Sequence, residues 1–200
     1  MPSGFDLYLP SQLLLNFSII WALVVVSLIS GKINIPGALV GGFLSMGIFL
    51  GGGWNAFSLL VTFFILGTMA TQWKFQWKAS MELAQSDGGK RGFMHVVSNG
   101  GLAGTCGLLG WLIPDIAFIA IEMAAASLAA ALSDTVSSEM GNVYGSRFYN
   151  ILKFKSEPRG LDGVISSEGT LFGFLGSGII AVQYGVLIDP SLSVLCWHIR

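Results

Sequence analysis

The sequence predicts an all-α, polytopic membrane helical bundle of about six transmembrane helices with its N-terminus outside. Three observations carry this expectation. The 200 residues are 53% hydrophobic and only 10% charged, whereas a soluble domain needs roughly 25% charged residues to solvate its surface. The mean hydropathy is +0.72, so lipid must be the solvent for much of the chain. Apolar runs of about twenty residues, long enough to cross a bilayer, recur along the sequence with short polar turns between them.

The first run, Ser11 to Ser30, is clear and ends in a turn with Lys32, Asn34 and Pro36. Neither a basic segment before it nor a small-residue cleavage pattern after it marks a signal peptide. The second runs from about Ile35 to Gly51. Three glycines, Gly51 to Gly53, then turn the chain into the third, Trp54 to Trp73. A polar stretch with Lys74, Lys78, Glu82, Asp87, Lys90 and Arg91 precedes the fourth, about Val96 to Ile113. Pro114-Asp115 makes the next turn, and the fifth returns from Ile116 to about Ser133. A second polar stretch leads to the sixth, Gly169 to Ile188, and the tail from Asp189 is too short to cross.

Basic residues set the orientation, because short cytoplasmic loops retain them. With the N-terminus outside, Lys32, four cations of the first polar stretch, and Arg147, Lys153, Lys155 and Arg159 fall inside, leaving only terminal Arg200 outside. Residues 1–200 thus read as one membrane domain, with 74–95 and 134–168 as cytoplasmic loops. The protein is expected to be integral to the membrane and multi-pass, in the plasma (inner) membrane if the cell is bacterial. The bilayer is its first partner, and no nucleic-acid partner is expected.

Small residues line several spans: Gly37/Gly41 and Gly169/Gly173 have GxxxG spacing, and Ala124 to Ala131 is nearly all alanine. These faces permit close helix packing and by themselves indicate no activity. Cys106 and Cys196 have no ligand or disulfide spacing and read as small apolar residues. His95 and His198 have no partner at a metal-ligand spacing.

Chemistry is concentrated in three polar segments. At the inner end of the fifth span, Asp134 and Glu139 are flanked by Thr135, Ser137 and Ser138. Hard oxygen ligands suit Mg²⁺, which takes one or two carboxylates plus phosphate oxygens. Five residues apart on a helix the two point in different directions, so sharing an ion requires the helix to end or unwind between them, and Gly141 suggests a nearby end. A solvated, hydroxyl-rich helix terminus explains the same residues equally well. Before the fourth span, Lys90 and Arg91 lie beside glycines just ahead of a helix start, a natural place for an anion; plain positive-inside anchoring is the commoner fate. Asn99, followed by Gly100 and Gly101 within the apolar boundary, needs a polar partner. In the third segment Asp162, between Gly160 and Gly163, reads as a turn former, and Ser166 to Glu168 as helix caps. Glu122 lies inside the fifth span, where an ionisable group is a functional candidate by default, although it is close to the outer turn.

Together these segments resemble the membrane family catalogued as domain of unknown function ninety-two, which includes a plant phytyl-phosphate kinase and the eukaryotic transmembrane protein nineteen. The run Phe63-Phe64-Ile-Leu-Gly-Thr-Met-Ala70-Thr71 is similar to one that precedes a Lys-rich loop in the family. Gly88-Gly89-Lys90-Arg91 followed by His95 to Gly101 resembles a second motif. Ser133-Asp134-Thr135, Ser138-Glu139 and Gly141 resemble a third. Gly160 to Gly163, Ser166 and Gly169-Thr170 resemble a fourth. The chain departs from the pattern at His95 (usually Gln), Ser133 (Ala), Leu161 (Thr) and Glu168 (small or apolar). The family usually continues into further helices, so the resemblance implies a chain that is either truncated or divergent toward its C-terminus.

The resemblance implies phosphoryl transfer from a nucleoside triphosphate to a prenyl (phytyl-like) monophosphate. On that reading Lys90, Arg91, Asp134 and Glu139 are catalytic, with Mg²⁺ held by Asp134 and Glu139. Asn99, Ser138, Asp162 and Ser166 would contact the substrates. Phosphoryl transfer is mostly positioning and charge neutralisation, which suits these residue types, and no Walker-type loop is present. The alternatives are a transporter, with Glu122 and Asp134 marking a pathway, or a non-catalytic membrane protein.

Overall fold

The computed structural model describes residues 10–85 and 87–188. It contains helices α1 (Pro10–Ile29), α2 (Ile35–Gln72), α3 (Phe75–Ser80), α4 (Phe93–Leu112), α5 (Ala117–Tyr144) and α6 (Ser167–Leu187), with three short strands between the last two. Four helical segments, Ser11–Ile29, Ile35–Gln72, Pro114–Tyr144 and Ser167–Leu187, are long and apolar enough to cross a membrane. The protein is an integral, multi-pass membrane helical bundle. The tail with Cys196, His198 and Arg200 lies outside the described residues.

α2 covers both the second and third predicted spans. It is broken at Gly53, whose φ of 62° and ψ of −157° are non-helical and favour a residue without a Cβ. α4 has the length of a span, but five glycines and Ser98, Asn99 and Thr105 dilute its apolarity. Its buried face is Gly100, Ala103, Gly104, Cys106, Gly107 and Gly110, which makes it a close-packing helix.

The described residues form two compact units, one of residues 10–57 and 90–124, the other of 58–85, 87–89 and 125–188. In the first unit, α4 lies against the first half of α2. A methyl group on Gly107 would come within 2.6 Å of both the Gly47 carbonyl oxygen and the Ile48 Cα, so backbones touch and only glycine fits. The Trp21 indole of α1 occupies the space over Gly42 and meets the Phe43 ring edge-to-face at 5.8 Å.

In the second unit, α5 and α6 meet the same way. A methyl on Gly169 would lie 2.6 Å from the Ser137 carbonyl oxygen, and one on Gly173 2.9 Å from the Ser137 Cβ. The predicted Gly169/Gly173 pair is therefore a helix contact.

The fifth helix departs from expectation. It continues eleven residues beyond Ser133, to Tyr144, because its polar residues are satisfied without leaving the helix. Thr135 and Ser138 hydroxyls donate back to the Ala131 and Thr135 carbonyls. The loop expected at 134–168 is thus helical to Tyr144. Its remainder is a sheet ordered β2-β1-β3, with β1 (Phe148–Asn150) central and antiparallel to β2 (Lys155–Ser156) and β3 (Val164–Ser166).

Candidate functional site

The site is built in the second unit, where α3 meets the far half of α5. Lys78, on α3, is completely buried. Its ammonium donates to the Ala70 carbonyl at 3.2 Å, to the Thr71 carbonyl at 2.8 Å, and to Glu139 Oε2. Carbonyls of a last helical turn lack intrahelical partners and carry the negative end of the helix dipole, so the end of α2 is a natural seat for this cation. Three contacts use all three ammonium donors.

Glu139 is buried and accepts from Lys78 through one oxygen and from Gln85 Nε2, at 2.8 Å, through the other. Burying two charges costs several kcal/mol per ion, an order-of-magnitude figure, unless pairing and further hydrogen bonds offset it. Here both conditions are met.

Asp134 is exposed. Five residues before Glu139 on an unbroken helix, it points about 140° away. A shared Asp134–Glu139 cation site would need α5 to unwind between them; the helix passes through both, so the pair does not fit one ion. Among the described residues, no group of three or more His, Cys, Asp and Glu side chains could hold a metal. Asp134 alone, with phosphate oxygens completing the shell, remains compatible with Mg²⁺ chemistry.

Aromatic rings surround this end of the unit. Trp73 Nε1 donates to the Tyr144 hydroxyl at 3.0 Å, and the Tyr144 ring stacks on Phe172 with centroids 5.7 Å apart. Lys74 Nζ sits 5.2 Å from the Tyr144 centroid, and the Arg159 guanidinium 5.1 Å from that of Trp77. Arg159 also donates to the Asn142 carbonyl at 3.3 Å, near the C-terminus of α5, where a cation is favoured.

The other predicted residues have distinct local settings. Ser138 is exposed, its hydroxyl turned back to the Thr135 carbonyl. Ser166 is the N-cap of α6: its Oγ accepts from Gly169 N at 3.1 Å, and a methyl on Gly141 of α5 would come 3.1 Å from that oxygen. Asp162 is exposed, and its carbonyl accepts from the buried Asn150 amide at 3.2 Å. Glu168 takes the Ser146 hydroxyl at 2.6 Å and so closes the entry to α6.

In the first unit, Lys90 is exposed and Arg91 is buried immediately before α4. Arg91 N donates to the Lys32 carbonyl at 3.0 Å, and its carbonyl accepts from Asn34 N at 3.1 Å, forming a parallel bridge. Asn99 is half-buried in the second turn of α4; His95 and Glu122 are exposed.

Sequence reasoning placed Lys78 among ordinary loop cations and gave no role to Gln85 or Asn150. A lysine after an apolar span looks like an anchor; its buried partner is 61 residues away and leaves no local signal.

Residues 18–199 match the family of integral membrane proteins designated DUF92. The chain belongs to that family. This DUF92 protein is 34% identical over 145 residues to Protein VTE6, chloroplastic, of Arabidopsis thaliana, covering 70% of this chain and 44% of the relative. It is 29% identical over 150 residues to the uncharacterized membrane protein sll0875 of Synechocystis sp. (70% and 58% covered). It is 30% identical over 148 residues to the uncharacterized membrane protein MJ0933 of Methanocaldococcus jannaschii (72% and 58%). The chain spans about half the length of the curated relatives it matches. No solved structure gives a significant match.

Proposed function

We propose that this DUF92 protein is a membrane phosphotransferase that passes phosphate from a nucleoside triphosphate to a prenyl (phytyl-like) monophosphate. Its relation to VTE6, in the family that contains the phytyl-phosphate kinase, supports the reaction class. The observation that carries the reading is the division of labour within the Asp134–Glu139 segment. One face of α5 exposes Asp134, while the other is locked by the buried Lys78–Glu139 pair.

Asp134 is the carboxylate available to a Mg²⁺–nucleotide. Mg²⁺, when bound, would neutralise charge on the transferred phosphate. Lys90, Arg91 and Asn99 in the first unit, and Ser138, Asp162 and Ser166 in the second, are the further residues that the family resemblance assigns to phosphate and substrate contact. Glu139 acts through Lys78 as a positioning residue that holds α3 and the end of α2 against α5.

The membrane arrangement that fits this reading has six spans, the N-terminus outside, and both polar connections in the cytoplasm. Nine of the ten Lys and Arg then lie inside. The non-helical backbone at Gly53 supports two spans within α2.

The test incubates purified full-length protein in detergent with phytyl and other prenyl monophosphates, Mg²⁺ and γ-labelled CTP or ATP. Label appearing in a prenyl diphosphate supports the proposal; no transfer to any lipid contradicts it.

A further inference from the structure

The β1–β2 connection has no part in the proposed chemistry, yet it is firmly built. Asn150, at the end of β1, is fully buried. Its Oδ1 accepts from Leu152 N at 2.9 Å and Lys153 N at 3.0 Å, while its Nδ2 donates to Glu157 at 2.6 Å and to the Asp162 carbonyl at 3.2 Å. One amide therefore fixes the turn from both sides, as Asx turns do. Phe154 closes the turn with φ at 54°, a left-handed conformation that is an outlier for a bulky residue.

What this rigid turn presents is apolar. Leu152 is 73% exposed and Phe154 79%. Between and beside them stand Lys153 and Lys155, with side chains 59% and 61% exposed. Both lysines lean on the single carboxylate of Glu157, so the tip keeps a net positive charge. From Gly145 to Gly163 there are four basic and two acidic residues.

The hairpin also joins two helices that are long and apolar enough to cross a membrane, and so belongs beside a membrane boundary on that reading. β1 begins four residues after the end of α5, a reach of at most about 14 Å, and β3 runs directly into α6. Basic residues flanking exposed apolar side chains at such a boundary match an anionic bilayer surface, which takes the apolar groups below the headgroups and the cations at the phosphates.

We propose that the β1–β2 hairpin is a lipid anchor: Leu152 and Phe154 insert into the adjacent leaflet, and Lys153 and Lys155 bind anionic lipid phosphates. The anchor holds the α5–α6 connection against the bilayer, independently of the phosphotransferase reading.

The test places a nitroxide at Leu152→Cys, and separately at Phe154→Cys, in full-length protein carrying Cys196→Ser with buried Cys106 retained. The protein is reconstituted in phosphatidylcholine/phosphatidylglycerol vesicles and in phosphatidylcholine alone. Collision with oxygen should exceed collision with a nickel chelate in the anionic vesicles, giving a positive depth parameter at both positions. That parameter should fall in phosphatidylcholine alone, and also with Lys153→Gln/Lys155→Gln. Nickel accessibility equal to that of a water-exposed label in both vesicles would overturn the anchor. Spin–spin broadening from a second copy would overturn lipid as the occupant, and equal depth in both lipids would overturn the role of the lysines.

Discussion

Lys78 and Glu139, 61 residues apart, form a fully enclosed ion pair that joins α3 to α5. Gln85 takes the second carboxylate oxygen, and the Ala70 and Thr71 carbonyls take the remaining ammonium donors. All three ammonium donors and both carboxylate oxygens have partners, which fits the positioning role proposed for the pair and the proposal that Asp134 is the carboxylate that meets substrate.

Removing one partner should therefore cost far more than removing both. Glu139→Leu strands a buried ammonium and should destabilise the protein by about 3–5 kcal/mol. Lys78→Met/Glu139→Leu replaces the pair with apolar volume and should recover most of that loss. Thermal unfolding in detergent measures both; equal destabilisation by single and double variants would contradict the enclosed pair.

The α5–α6 contact makes a second prediction. A methyl on Gly169 would approach the Ser137 carbonyl oxygen to 2.6 Å, and a helix backbone cannot yield as a side-chain end can. Gly169→Ala should destabilise by about 1–3 kcal/mol, the usual range for overpacking. Gly178→Ala, where an added methyl meets nothing within 4 Å, is the control and should leave the unfolding midpoint in place.

Acid should loosen the hairpin. The Glu157 carboxyl is lowered from 4.5 to about 2, first by the Lys155 hydrogen bond, then by Asn150 and Lys153. Because the folded value lies below the unfolded one, its stabilisation is complete above about pH 4.5 and is lost as pH falls toward 2. Amide exchange at Leu152 and Lys153, whose N–H groups are held by Asn150, should gain an opening contribution across that window. Glu157→Gln should abolish this pH dependence.

Much of the architecture was legible because lipid contact writes itself into composition. The apolar runs gave the helices, the Gly51–Gly53 cluster marked the break at Gly53, and the Gly169/Gly173 spacing marked a real helix contact. Hydropathy misjudged the end of α5, because Asp134 and Glu139 look like the start of a loop whether or not the helix continues. It continues because Glu139 is neutralised from inside by a residue on another element. Lys78 was indistinguishable from Lys74 or Lys90 for the same reason: burial and a distant counter-ion are tertiary facts. The three strands were missed because each is only two or three residues long, too short for alternation to show.

The most direct measurement is the rate of phosphate transfer to prenyl monophosphate by Asp134→Asn beside the unaltered protein, with unfolding midpoints recorded for both. Asp134 is exposed, so the midpoint should be unchanged. The rate should fall by about a hundredfold or more, at least what the loss of a metal's outer-shell partner costs. Transfer at the unaltered rate by Asp134→Asn would contradict the assignment of chemistry to this face of α5.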